Sequence, residues 1–311
     1  MTSQPYSAVS INGVRKAFAN VVAVDSLSIE VPVGAIYGFL GPNGAGKTTT
    51  IRMILGILRP DAGEISVLGH NDPTALKSRL GYLPEEKGLY KKMKVIELVT
   101  YFGRLKGMSK QAARASADGL LQRFGLAEWR QEKCETLSKG MAQKVQITTT
   151  LVHSPDLVVL DEPFSGLDPV NIELVRDTIL ELKSAGKTVI FSTHIMEQAE
   201  QICDSIVLIN KGRKVLDGTI ADVRASTGNT VVLDYDGDGS CLQKIPGVIR
   251  VSDAGKHAEL TLAAGTDPQA LLAALIGKVA IRRFDTAQAS LHEVFIRTVG
   301  ADRPPGEPDA L

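Results

Sequence analysis

Residues 36–49 read Ile36-Tyr37-Gly38-Phe39-Leu40-Gly41-Pro42-Asn43-Gly44-Ala45-Gly46-Lys47-Thr48-Thr49. An apolar run ends in Gly41–Thr48, which fits the pattern GxxxxGK[ST], and a helix-like run from Thr49 to Leu58 follows. Strand, glycine-rich turn and helix is the context in which backbone N–H groups can surround a phosphate. Gly41, Gly44 and Gly46 let those amides turn inward without a side-chain clash, and the helix presents its positive end to the anion. Pro42, Asn43, Ala45 and Thr49 complete the loop. Lys47 is placed to reach the β- and γ-phosphates of a nucleotide, and the Thr48 hydroxyl suits Mg²⁺, the hard cation that accompanies a polyphosphate.

A cation on phosphate calls for a carboxylate at the end of a buried strand, and Leu157-Val158-Val159-Leu160-Asp161-Glu162 supplies one. Asp161 is the expected Mg²⁺ holder and Glu162 the expected general base on the attacking water. The reading is therefore of a chain that binds Mg-ATP and hydrolyses it.

Outward from these strings the same pattern repeats. Ala35–Leu40, Leu157–Leu160, Thr188–Ser192 and Ser205–Ile209 are short apolar runs bounded by turn residues, as in strands buried on both faces. Helical stretches alternate with them, one marked by Asp168 as N-cap, Pro169 in the first turn and Gly186 as terminator. Alternation of this kind means a mostly parallel α/β sheet. Between 94 and 150 the strand signal fades, while Val95, Leu98, Val99, Phe102 and Leu105 keep helical spacing, which predicts an inserted helical subdomain. The predicted fold is α/β: a P-loop NTPase core with that insert, spanning 7–219, then a small C-terminal α+β domain over 229–300. Within the latter, strands are expected at Val231–Tyr235, Val248–Val251, Glu259–Leu262 and Val279–Phe284. The tail at 301–311, rich in proline and charge, is expected to be disordered.

Composition sets limits. The chain has 311 residues, and 35 basic side chains balance 35 acidic ones, so no global positive field draws it to nucleic acid. Cys134, Cys203 and Cys241 are too scattered for a disulfide framework or a zinc site. The N-terminus lacks the layout of a signal peptide and no stretch is long and apolar enough to span a membrane, so a soluble, cytoplasmic chain is expected.

Further strings stand in an order that resembles the ABC ATPases. Leu137-Ser138-Lys139-Gly140-Met141 resembles their LSGGQ signature, with Lys139 and Met141 in place of a glycine and the glutamine. Ser165-Gly166-Leu167-Asp168 looks like the D-loop, His194 like the switch histidine, and Phe18 like the adenine-stacking aromatic. Glu85, after Gly81-Tyr82-Leu83-Pro84, stands where the family usually has a glutamine that ligates Mg²⁺ and couples to the membrane subunit. The resemblance covers Ser7–Thr219, and the stretch Leu83–Tyr90 together with LSKGM looks like a subgroup of exporters that includes sodium-efflux systems.

That resemblance implies a second ATP-binding subunit, a head-to-tail homodimer in which Ser138 and Gly140 meet the γ-phosphate held by the opposite copy. It implies that His194 contacts the γ-phosphate and helps to align Glu162, and that a transmembrane permease holds the chain at the inner face of the cell membrane. Two other readings stand beside it. A soluble ABC-type ATPase acting on ribosomes or DNA would show tandem P-loops or a long coiled coil; a regulatory module that binds ATP without turnover would account for Lys139, Met141 and Glu85.

Overall fold

The computed structural model describes residues 7–86, 88–226, 229–263, 265–288 and 290–301. The chain divides into two compact units, Met1–Val215 and Leu216–Leu311. All but the first residue of the tail expected to be disordered lies outside the described residues.

The first unit opens with strands β1 (Ser7–Phe18) and β2 (Val21–Pro32), followed by β3 (Ile36–Leu40), helix α1 (Lys47–Ile54), β4 (Ala62–Val67) and β5 (Leu80–Leu83). Helices α2 (Val95–Leu105), α3 (Lys110–Arg123) and α4 (Lys139–Leu151) form the insert. Then come β6 (Leu157–Asp161), α5 (Pro169–Ser184), β7 (Thr188–Thr193), α6 (Met196–Ile202) and β8 (Ser205–Asn210), with β9 (Arg213–Thr219) crossing the boundary in sequence.

Six strands form one sheet in the order β5-β6-β7-β3-β8-β9. Its central members β3, β6 and β7 are buried at every residue, which is why they read as unbroken apolar runs. They pair in parallel: Leu40 stands beside Thr193, and Asp161 beside Ser192. The chain ends of all three strands therefore lie along one edge, the place where open α/β sheets take their ligands. Strand β7 separates the strand that leads into the phosphate loop from the strand that ends in Asp161.

A three-stranded antiparallel sheet, β2-β1-β4, was not expected from the sequence. Its strands bury one face only, with Val9, Ile11, Leu27, Ile29 and Val31 inward, so their signal is an alternation rather than an apolar run. These side chains join Tyr37, Phe39, Ile51, Ile54, Val159, Ile190 and Val207 in one core that anchors α1 beneath the phosphate loop. Helix α1 stops at Ile54 rather than Leu58, because Gly56 turns left-handed (φ 68°) and ends the helical path.

The insert packs α2 on α3 and α4 through Leu98, Val99, Ala113, Ala117, Leu121 and Val145, all fully or nearly buried. Ser138 caps α4 and Asp168 caps α5, each accepting from the amide three residues on.

The second unit holds α7 (Ile220–Ser226), β10 (Asn229–Asp236), β11 (Val248–Asp253), β12 (His257–Leu262), α8 (Pro268–Leu275), β13 (Ala280–Gln288) and α9 (Leu291–Ala301). Its antiparallel sheet runs β11-β12-β10-β13, and one face, carrying Val231, Leu233, Ala258, Leu260 and Leu262, is covered by Leu242, Ile245, Leu271 and Leu275. This is an α+β arrangement.

Candidate functional site

The loop between β3 and α1 surrounds a cleft of about 210 Å³ lined by Ala23, Asn43, Gly44, Ala45, Gly46, Lys47, Thr48, Thr49, Glu85 and Glu162. Two glycines are required by close approach. A Cβ on Gly41 would stand 2.1 Å from the carbonyl oxygen of Ile209, and one on Gly46 2.4 Å from that of Ala23, with φ at 147° and 107°. The loop is thus wedged against β2 and β8, and its amides have little freedom to drift.

Lys47 is buried, at 6% exposure, and its ammonium donates to the carbonyls of Gly41 (2.6 Å) and Pro42 (3.2 Å). The Glu162 carboxylate lies 3.9 Å from it. Burial pushes the Lys47 ammonium below the usual lysine value; Glu162, Asp161 and Glu85, in that order, pull it back. A buried cation facing an open cleft and borrowing carbonyls is suited to exchange them for phosphate oxygens.

The Thr48 hydroxyl donates to Asp161 Oδ1 at 3.3 Å, and Ser192 Oγ donates to the same oxygen. Asp161 Oδ2 is buried and has no hydrogen-bond partner among the described residues. A buried anionic oxygen left open beside a hydroxyl fits a hard divalent cation that draws its other ligands from water and phosphate. Among the described residues no group of three or more His, Cys, Asp and Glu side chains could hold a metal by themselves.

Glu162 has φ 50°, a left-handed conformation that costs about 1 kcal/mol for a residue with a side chain. This turn swings its carboxylate to the cleft, where Nδ1 of His194 lies 3.0 Å from Oε1. Its own amide donates to Ser192 Oγ at 3.0 Å. Glu85 is exposed on the cleft wall.

The remaining candidates lie outside the cleft lining. Ser138 is exposed, and Gly140 faces the Asn171 side chain, so in one copy the partial signature sits by the residues 166–171. Phe18 is 46% exposed at the end of β1, with the Lys16 ammonium 5.6 Å from its ring centre.

Three contributors escaped the sequence reading. Ser192 lies near the end of β7, two residues before His194, and its role depends on the register with Asp161 across the sheet, which the local string does not carry. Gln143, buried in α4, donates to the Pro163 carbonyl, tying the helix after the signature to the turn after Glu162. Ala23 sets its carbonyl against Gly46, a backbone contact that no side-chain pattern reveals. No helix among the described residues is long and apolar enough to cross a membrane.

The ABC transporter family model matches residues 24–165, and a model of the C-terminal domain of DrrA1-3-like ATP-binding proteins matches 218–299. The uncharacterized ABC transporter ATP-binding protein YhaQ of Bacillus subtilis (strain 168) is 41% identical, over 94% of this chain and 99% of its own. Nod factor export ATP-binding protein I of Burkholderia lata is 36% identical over 96% of this chain and 99% of its own. A solved ATP-binding subunit of an ABC transporter superposes with a TM-score of 0.66 at 31% identity, over 70% of this chain and 92% of that one. The chain binds ATP, is an ATPase and works with a membrane permease: it belongs to the family of ABC transporter ATP-binding subunits.

Proposed function

We propose that this subunit hydrolyses Mg-ATP in a site completed by a second copy of the chain, and that the cycle drives export through the permease. The observation that carries the catalytic part is the Glu162 carboxylate, turned into the cleft by a strained backbone and touched by His194. Glu162 acts as general base on the attacking water, and His194 holds its carboxylate in line and reaches the γ-phosphate. Asp161 and Thr48 would hold Mg²⁺, with Glu85 reaching it from the cleft wall; the metal, when bound, neutralises charge on the β- and γ-phosphates. Gly41–Thr49 supply the phosphate contacts and Phe18 stacks on adenine.

Ser138 and Gly140 lie outside the lining of their own cleft, which supports a role across a head-to-tail homodimer. Ser138 is exposed with its hydroxyl at the start of α4, where the helix end favours an anion. Export is supported by the name of the Burkholderia lata relative. The permease would keep the chain at the inner face of the membrane.

Sedimentation of Glu162→Gln with and without Mg-ATP tests the arrangement, with Lys47→Ala as the nucleotide-blind control. Glu162→Gln should bind ATP, lose about 10²- to 10³-fold in turnover and sediment as a dimer only with Mg-ATP. Normal turnover in that variant refutes the role of Glu162, and a monomer with ATP bound refutes self-association of the isolated chain.

A further inference from the structure

The buried side chain that joins the two acids of the site is one that no motif names. Ser192 is fully buried on β7, in register beside Asp161. A serine hydroxyl has one proton to give and two lone pairs to receive. Here its proton goes to Asp161 Oδ1, and it accepts the amide proton of Glu162. The direction of both bonds is fixed, because a carboxylate cannot donate and an amide N–H cannot accept.

Each bond has a consequence for the neighbouring acid. On Asp161, Oδ1 is occupied by Ser192 and Thr48, so the carboxylate is held in one orientation and Oδ2 is the oxygen left open. On Glu162, the bond to the amide pins a backbone at φ 50° that would otherwise relax, while His194, two residues beyond Ser192, holds the carboxylate. Strand β7 and the residue just past its end therefore hold Glu162 at two points, main chain and side chain, and the Ser192 hydroxyl also reaches Asp161.

We propose that Ser192 is a positioning residue for ATP hydrolysis, orienting Asp161 toward the metal and holding the strained turn that aims Glu162 at water. This rests on the roles given above to Asp161 and Glu162. A link of this kind also couples metal binding to base placement, since a displacement of the hydroxyl disturbs both the Asp161 carboxylate and the Glu162 turn.

The test uses the full-length chain with Ser192→Ala and Ser192→Cys, the latter keeping a weak donor and acceptor on a somewhat larger side chain. Turnover is measured together with the affinity of a fluorescent ATP analogue, in Mg²⁺ and in EDTA, and with thermal unfolding. Ser192→Ala should lower kcat about 10- to 100-fold, the range of a displaced catalytic group. It should also reduce the tightening of the analogue by Mg²⁺ by about 5-fold or more, while affinity in EDTA stays within about 2-fold, because the phosphate cradle is untouched. Ser192→Cys should show a smaller loss of the same kind. A kcat within about 2-fold of the parent, or equal losses of affinity in Mg²⁺ and in EDTA, overturns the proposal. Should Ser192→Ala fail to fold, Ser192→Cys decides by the same criteria. Failure of the underlying reading is seen on a different variant: normal turnover of Glu162→Gln removes the general base, whatever Ser192 does to the Mg²⁺ response.

Discussion

Replacing Gly46 by alanine tests how far nucleotide binding depends on backbone contact rather than on side chains. The added Cβ would stand 2.4 Å from the Ala23 carbonyl oxygen, and ordinary contact begins at 3.4 Å, so loop and β2 must separate by roughly 1 Å. The left-handed backbone, φ 107°, adds about 1–2 kcal/mol of strain that the free protein sheds by letting the loop move. ATP must then draw the amides of Gly44–Thr48 back into place, and the relaxed strain and overlap are charged against binding. A loss of about 2–3 kcal/mol follows, or about 30- to 150-fold in affinity. Gly44→Ala is the comparison: φ is 77°, but the new Cβ meets no protein atom within 4 Å, so only the conformational cost applies. That variant should lose roughly 5- to 30-fold, less than Gly46→Ala. Titration with a fluorescent ATP analogue in EDTA, which leaves the metal out, reads both. Equal affinities for the two variants would refute the wedging of the loop against β2 as the source of phosphate recognition.

Two more outcomes are expected. Phe18→Ala should weaken ATP by about 1 kcal/mol, some 5-fold, and leave thermal stability nearly unchanged because the ring is already half exposed; unchanged ATP affinity would return Phe18 to the surface of β1. His153, half-buried with Nε2 on the Leu80 carbonyl and near the Lys106 ammonium, is held down to about 4, chiefly by desolvation. Its folded value lies below the unfolded one of 6.5, so on acidification the unfolded chain takes the proton first. Stability is lost as pH falls from about 6.5 and the loss is complete near 4, on the order of 1–2 kcal/mol after solvent screening. His153→Gln should flatten that part of the unfolding profile, and an unchanged slope in urea titrations would contradict it.

Whatever resides in local strings is legible before the chain folds. Phosphate recognition needs glycines, a lysine and a hydroxyl at set spacing, and a parallel strand buried on both faces must be apolar throughout, so Gly41–Thr48 and Leu157–Glu162 were legible with their fold. Features that join residues far apart along the chain emerge only on folding. The sheet β2-β1-β4 shows only alternation, easily lost among ordinary polar and apolar neighbours, yet its Ala23 carbonyl makes a glycine necessary at 46. The strand order placed β7 between the two halves of the site, and that alone brought Ser192 to Asp161 and the Glu162 amide. A hydroxyl acquires direction and partners only when strands 30 residues apart in sequence come into register, and no spacing rule along the chain encodes that meeting.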